Sequence, residues 1–311
     1  MPVVVIAGGR GLIGQKLTSH LTARNYEVIV LTRDKSSFPQ TQGVTYSTWD
    51  VYQGIFDPGV FRAADAIVHL AGAGVIDQKW TEAYKQEIVN SRTKASRLLV
   101  RAYTESGSRA GVLVAATAIG WYGPDPSPLH RKEGFIETDP AADGFLAATC
   151  LDWENSLAIP REVPLRMVKL RTGIVLSADG GAYEKFKSPL KMGIAAIMGS
   201  GRQMVSWIHM EDLCRMFVES IENSQISGVY NAVAPVPVSN RKLILEMAEK
   251  VRHKFFIPVH VPGFILKLIL GQRSIEVLKS ATVSSRKIRE SGFTFLYPSI
   301  ESALAALEQR S

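Results

Sequence analysis

Glycine spacing is the strongest chemical signal in the sequence. Ile6-Ala7-Gly8-Gly9-Arg10-Gly11-Leu12-Ile13-Gly14 follows an apolar, β-branched run at 3–7. It leads into a segment in which Leu12, Ile13, Leu17 and Leu21 share one helical face. Glycines at 8, 11 and 14 between a strand and a helix predict a phosphate cradle. The first turns the chain tightly, the second lets a pyrophosphate approach the backbone, and the third lets helix pack on strand. The N–H groups at the start of the helix, at Leu12 and Ile13, then face the phosphates with the positive end of the helix dipole.

The end of the second apolar run, 27–32, selects between dinucleotides. An NAD site usually carries a carboxylate there for the ribose 2′-hydroxyl. Here Thr32 is followed by Arg33, a guanidinium suited to a 2′-phosphate, and Arg10 offers a second cation. The expected cofactor is therefore NADP(H). Leu70, Ala71 and Gly72 end the fourth run with small residues that leave room for the adenosine half, although a ligand-free glycine-rich turn reads the same way. Thr117 and Tyr122 follow the fifth run, where the carboxyl ends of central strands gather chemistry. Tyr122 reads equally as a packed aromatic with a satisfied hydroxyl. His209, beside Glu211 and Asp212, is a third candidate acid–base group or a structural residue of a strand–loop segment. Arg171 and Arg202 suit either an anionic substrate group or surface ion pairs. Cys150 has no basic partner in sight and reads as core. His20, His69, His130, His253 and His260 show no metal-ligand spacing, so no metal is expected. Glu133, Glu137, Asp139 and Asp143 form an acidic stretch that reads as a pocket cap or a solvated connection.

These residues need a scaffold of alternating strands and helices. Strand patterns fall at 3–7, 27–32, 44–47, 66–70, 112–116 and 167–170, with helix patterns at about 12–24, 81–106 and 144–157. Strands apolar on both faces between helices predict a doubly wound parallel α/β sheet. After about 175 strand pieces shorten and helix patterns dominate. The expected division is 1–175, a dinucleotide-binding Rossmann domain, and 176–311, a smaller helix-rich C-terminal lobe with segments free to return to the main sheet.

Composition narrows the class. The chain has 311 residues, 46% of them hydrophobic and 21% charged, which excludes a chiefly disordered protein. Lys and Arg number 36 against 29 Asp and Glu, a net charge of +7. The cations are scattered, and the densest patch, 241–254, includes Glu246 and Glu249, so nucleic acid is not an expected partner. Two cysteines, Cys150 and Cys214, exclude a disulfide scaffold. With no signal-peptide pattern at the start, they suit a reducing, cytoplasmic setting. No apolar run reaches a membrane span of about 18–20 residues. The greasiest stretch, 264–270, contains Lys267 and reads as a short amphipathic helix packed on the body, or as a docking surface.

Further motifs carry a family resemblance: HLAGAGV followed by Lys79-Trp80, Asn90-Ser91-Arg92, AIGWYG, Phe145-Leu146-Ala147 and Asp152-Trp153-Glu154, then LRTGIVLS, GSGRQMVSWIHMEDL, GVYNAVAPVPVSN and Ser291-Gly292-Phe293. With GGRGLIG, they resemble the extended short-chain dehydrogenase/reductases over essentially the whole chain. Within them the chain is similar to an atypical epimerase-family branch with a C-terminal domain of unknown function, some of whose members carry a cell-division-inhibitor label. The resemblance implies an NADP(H)-dependent oxidoreductase or nucleotide-sugar-epimerase-like enzyme acting on a small-molecule substrate, as a monomer or homodimer. The wider family's active members use Tyr-x-x-x-Lys on the helix after the fifth strand. Here that helix reads Phe145 to Glu154 with no Tyr, and the alignment sets Leu146 at the Tyr position and Cys150 at the Lys position. The departure implies either a different proton carrier or a non-catalytic, NADPH-binding regulatory protein.

Overall fold

Eight strands form the central sheet. They are β1 (Val3–Ala7), β2 (Glu27–Thr32), β3 (Val44–Asp50), β4 (Ile55–Phe56), β5 (Ala66–His69), β6 (Val112–Ala118), β7 (Arg166–Thr172) and β8 (Gly228–Ala232). The spatial order is β8-β7-β6-β5-β1-β2-β3-β4, parallel except for the final β3–β4 pair. The computed structural model describes residues 1–34, 41–127, 130–159, 163–253 and 255–309. The side chains of His130 and Arg131, and all of Lys254, lie outside the described residues.

Alternation along the strands divides the core into two layers. Val4, Ile6, Val28, Val30 and Val68 face one side, where they meet Leu17 and Leu21 of α1 (Leu12–Thr22) and Met216 and Phe217 of a helix at Met210–Glu222. Val5, Ala7, Leu31 and Ile67 face the other, against Leu98 and Leu99 of α2 (Glu82–Ser106) and Trp153 of α3 (Phe145–Ser156). A strand buried on both faces gains apolar area on each, and no solvent-facing polar alternation survives in β1 or β5. Helix ends follow local chemistry. The Thr81 hydroxyl accepts from the Tyr84 N–H at 3.2 Å to start α2, and Gly107, at φ 66°, ends it.

A second core lies in the smaller lobe, built from Leu176, Tyr183, Ile197, Trp207, Leu243, Met247 and Leu304. The chain crosses between lobes more than once. The strand Trp207–His209 pairs with Ile174–Ser177, and the Met210–Glu222 helix (α4) and β8 then return to the main sheet. Ile288 and Phe293 also pack in that main core. Ser206 separates the short strands Met204–Val205 and Trp207–His209, and its hydroxyl donates to the Ala281 carbonyl (2.8 Å) and accepts from the Val283 N–H (2.9 Å). The greasy stretch forms the helix Gly263–Leu270, with Leu266 buried and Phe264 and Leu268 exposed. Among the described residues, no helix is long and apolar enough to cross a membrane. Both cysteines are buried, and burial pushes each thiol up to about 12.

His69 locks the end of β5 to two helices. It is fully buried, and its Nδ1 accepts from the Ala71 N–H at 3.3 Å. We place the proton on Nε2, 3.0 Å from the Ser96 hydroxyl, which itself donates to the Arg92 carbonyl; the Trp153 indole N–H, 3.5 Å from the same Nε2, is then too long to count as a bond. The Trp153 ring stands edge-on to it. Burial first, and the Arg92 cation second, push its pKa from 6.5 down to about 3. The unfolded chain takes up a proton near pH 6.5, whereas the folded chain resists until about pH 3. Stability from this group is complete above the upper value and declines as pH falls through the window. We expect a loss of about 2 kcal/mol between pH 7 and pH 5. Urea unfolding at the two pH values should show it in the wild type and not in His69→Gln; equal losses in both would refute the assignment.

Candidate functional site

The crevice opens where β1 and β5 lie side by side and their successors depart in opposite directions, β2 one way and β6 the other. Ligands of open α/β sheets bind at such a switch point. Gly8 has φ 86°, and a Cβ there would lie 2.6 Å from the Ala71 nitrogen and the Leu70 carbonyl carbon. The Leu70 N–H donates to the Ala7 carbonyl at 2.7 Å, so the glycine loop and the Leu70–Ala71–Gly72 lip touch through backbone. A Cβ on Gly14 would fall 2.4 Å from the Gly8 carbonyl oxygen, and one on Gly9 2.9 Å from the Val30 methyls. Only Gly11 differs among these four. Its added Cβ would meet nothing closer than the Gly8 oxygen at 3.5 Å.

Gly8, Gly9 and Gly14 are thus demanded by the protein's own packing, whereas Gly11 would accept a Cβ at ordinary contact distance. It caps α1 without any side-chain hydrogen bond, and the first turn holds no acid, so the N–H groups of Leu12 and Ile13 begin a helix with no side-chain cap. That cradle fits a dinucleotide pyrophosphate. Arg10 is exposed at its edge. At the end of β2 the buried Thr32 hydroxyl donates to the Asp34 carbonyl (3.1 Å) and accepts from the Asp34 N–H (3.3 Å). This turn leaves Arg33 on the surface.

A second constellation is buried beside the crevice. Parallel register sets Thr117 of β6, Arg171 of β7 and Asn231 of β8 in one row. Arg171 grips Glu154 of α3 with two donors, Nε to Oε1 at 2.8 Å and Nη2 to Oε2 at 3.2 Å. Its Nη1 donates to the Tyr122 hydroxyl (3.0 Å) and the Glu137 carbonyl (3.2 Å), and the guanidinium lies 3.7 Å from the centroid of the Trp121 ring. Burial opposes its charge, but the Glu154 carboxylate outweighs that and holds it protonated. Thr117 donates to Glu154 Oε1 at 3.2 Å.

The Tyr122 hydroxyl has one proton and two acceptors in reach, Asn231 Oδ1 at 2.8 Å and the Ile136 carbonyl at 3.1 Å. Burial pushes its pKa up to about 12, against the pull of Arg171, so the phenol stays protonated. Asn231 in turn donates its backbone N–H to Glu137 Oε1 (2.8 Å) and its amide to the Ser284 carbonyl (3.1 Å).

The predicted residues therefore fall into three groups. Gly8 to Gly14, Leu70 to Gly72, Thr32 and Arg33 follow or end β1, β5 and β2 around the switch point. Thr117 and Tyr122 share the Arg171 network, only 2% and 1% exposed. His209 ends the Trp207–His209 strand, where its Nδ1 accepts from the Glu211 N–H at 3.1 Å and caps α4, with the Tyr297 ring 4.0 Å away. Arg171 is spent on Glu154 rather than presented to solvent, whereas Arg202 is exposed. The acidic stretch is tied down. Asp139 accepts from the Ile136 N–H, and Glu137 holds Asn231. Among the described residues, no cluster of His, Cys, Asp and Glu could hold a metal ion. The roles of Asn231 and Glu154 escaped sequence reading. The visible signals were an amide between apolar residues in Val229-Tyr230-Asn231-Ala232 and an acid beside Cys150 and Trp153 on the buried face of α3.

Removing one partner of the buried pair should be costly. We expect Glu154→Gln to lose about 3–5 kcal/mol of unfolding free energy, because it strands the Arg171 charge. Joining Glu154→Leu to Arg171→Met should cost less than the two separate losses added together. Chemical denaturation of the single and double variants checks this, and strict additivity would contradict the coupling.

Residues 4–232 match the NAD dependent epimerase/dehydratase family, and residues 261–307 match the domain of unknown function DUF1731. The chain is 31% identical over 304 residues to epimerase family protein Mb2239 of Mycobacterium bovis, covering 97% of this chain and 96% of that protein. It is 32% identical over 317 residues to the chloroplastic epimerase family protein SDR39U1 homolog of Arabidopsis thaliana, covering 98% and 86%. The crystal structure of human epimerase family protein SDR39U1 with NADPH aligns with a TM-score of 0.86 at 28% identity, over 99% of this chain and 100% of that one. MoeE5 in complex with UDP-glucuronic acid and NAD shares the fold, with a TM-score of 0.77 at 18% identity over 99% of each chain. With the glycine cradle at a switch point and a matched span that covers most of its length, the chain belongs to the NAD dependent epimerase/dehydratase family and ends in a DUF1731 segment.

Proposed function

We propose that the chain binds NADPH in the β1/β5 crevice and acts as an atypical short-chain dehydrogenase/reductase. Its reaction is oxidoreduction or nucleotide-sugar-epimerase-like chemistry on a small polar substrate, without a Tyr-x-x-x-Lys pair. The observation that carries the reading is the Gly11 cradle, open and uncapped, with Arg33 exposed at the end of β2. The human relative solved with NADPH supports it. When bound, the cofactor supplies or accepts hydride. The N–H groups of Leu12 and Ile13 bind the pyrophosphate, Arg33 pairs with the 2′-phosphate, and Arg10 adds a second cation. Thr117 and Tyr122 mark the substrate side, where β6 ends. Tyr122 serves as a proton donor and not as a base, since its phenol is held protonated. To donate outward it must give up its bond to Asn231 or Ile136. His209 is assigned to capping α4. A reducing, cytoplasmic setting suits the two unpaired cysteines, although the plant relative is named chloroplastic.

One observation favours a second reading, a non-catalytic protein that uses NADPH as a regulatory ligand. The hydroxyls of Thr117 and Tyr122 are buried and already bonded to protein groups. A substrate screen that follows NADPH absorbance separates the two. Turnover supports the enzyme. No turnover, with a partner whose affinity changes when NADPH binds, supports the regulator.

Calorimetric titration tests the cofactor choice. We expect NADPH to bind more tightly than NADH, and Arg33→Asp to weaken NADPH by about tenfold or more while leaving NADH little changed. Equal losses for both would remove Arg33 from the 2′-phosphate site.

A further inference from the structure

Arg92 is a largely buried cation that neither the crevice nor the Arg171 network uses. It stands on α2 with its side chain directly beneath Gly72. A Cβ on Gly72 would lie 3.2 Å from Arg92 Cγ and Cζ and 3.4 Å from Nε. The guanidinium also lies 5.0 Å from the Trp153 ring centroid on α3. Among the described residues its guanidinium makes one hydrogen bond, from Nη1 to the Ile88 carbonyl at 2.9 Å, and pairs with no carboxylate.

Two other arginines, the buried Arg171 and the partly buried Arg166, contrast with it. Arg171 makes four hydrogen bonds, to Glu154, Tyr122 and the Glu137 carbonyl. Arg166 donates to three carbonyls, of Ser220, Ile226 and Ile221. A guanidinium has five N–H donors, and Nε and Nη2 of Arg92 are neither bonded nor among the buried unpartnered atoms of the described residues, so they stay open to a ligand at the lip.

Its position indicates which ligand group. Arg92 lies between the Gly72 lip and α3, and its charge is felt at Cys150 and His69. Cys150 packs toward Gly120, just past the end of β6, where a Cβ would meet its Sγ at 3.3 Å. Arg33 lies on the opposite side of the glycine loop, beyond β2. A dinucleotide whose pyrophosphate rests on Gly11 and whose adenosine half reaches Arg33 directs its other half toward β5, β6 and α3, and so past Arg92.

We propose that Arg92 holds the ribose and phosphate of the nicotinamide half of NADPH, supplying from α2 the cation that α3 lacks at Cys150. This rests on the reading that NADPH occupies the crevice. The planar fork suits paired oxygens, which an ammonium on a lysine stem would hold less specifically.

The test compares NADPH with 2′,5′-ADP, which carries the 2′-phosphate but no nicotinamide half. Both are titrated calorimetrically into wild type, Arg92→Met and Arg92→Lys, with melting curves taken without ligand. Arg92→Met should bind NADPH about tenfold or more weakly and 2′,5′-ADP with wild-type affinity. Arg92→Lys should show a smaller loss with the same selectivity, and it carries the test if the methionine variant does not fold. Unchanged NADPH affinity, or equal losses for both ligands, overturns the role of Arg92. Wild type that binds neither ligand overturns the NADPH reading itself, and this inference with it.

Discussion

The Arg171 guanidinium is buried near the carboxyl end of β7, one strand in from the edge of the sheet, and much of the surrounding structure is arranged to neutralise it. One strand cannot do so alone. Glu154 must come from α3, Tyr122 from the loop after β6, and the Glu137 carbonyl from the acidic stretch beyond it. Lys169 draws the same helix in by donating to the Glu154 carbonyl at 2.9 Å. A buried charge without these partners would be strongly destabilising, so the network fixes where α3 and the loop at 119–139 can sit. Thr117 and Tyr122 owe their positions to that requirement.

The C-terminal segment closes the same region. Asp125 accepts from the Thr282 N–H and from the Ser280 and Thr282 hydroxyls, and the Phe135 N–H donates to the Thr282 carbonyl. Val283 packs with Tyr122 and Val233 in a small apolar cluster. Asn231 reaches across to Ser284. The DUF1731 segment is therefore part of the wall around the Arg171 network and not an appendage, which explains why the two lobes share strands and helices.

The crevice follows the opposite logic. Its lip and floor are small residues whose packing leaves no slack at Gly8, Gly9 and Gly14, and room only at Gly11. Beneath it His69 is held neutral while Arg92 keeps its charge. Two adjacent buried cations without a carboxylate would repel, and the imidazole is the group that can shed its proton. The contrast is between a network with its hydrogen bonds filled and a cradle with donors to spare.

The strand–helix alternation, the glycine-rich turn after β1 and the small residues at Leu70–Gly72 were all legible in the sequence. Each depends on residues close together along the chain, where spacing and side-chain size dictate geometry. The partnership of Glu154 with Arg171, the row of Thr117, Arg171 and Asn231, and the placing of Arg92 under Gly72 were not. These meetings, and the bond of Tyr122 to Asn231, join residues far apart along the chain, 17 positions for Glu154 and Arg171 and 109 for Tyr122 and Asn231. Strand order and register decide such meetings, and a single sequence carries no record of which strand lies beside which. His209 shows the same limit from the other side: its acidic neighbours suggested chemistry, and the fold uses its ring nitrogen to begin a helix. Local chemistry determined what this protein can bind, while tertiary packing decided which polar groups stay free to bind it, because burial commits a hydrogen-bonding group to whatever partner the fold brings within reach.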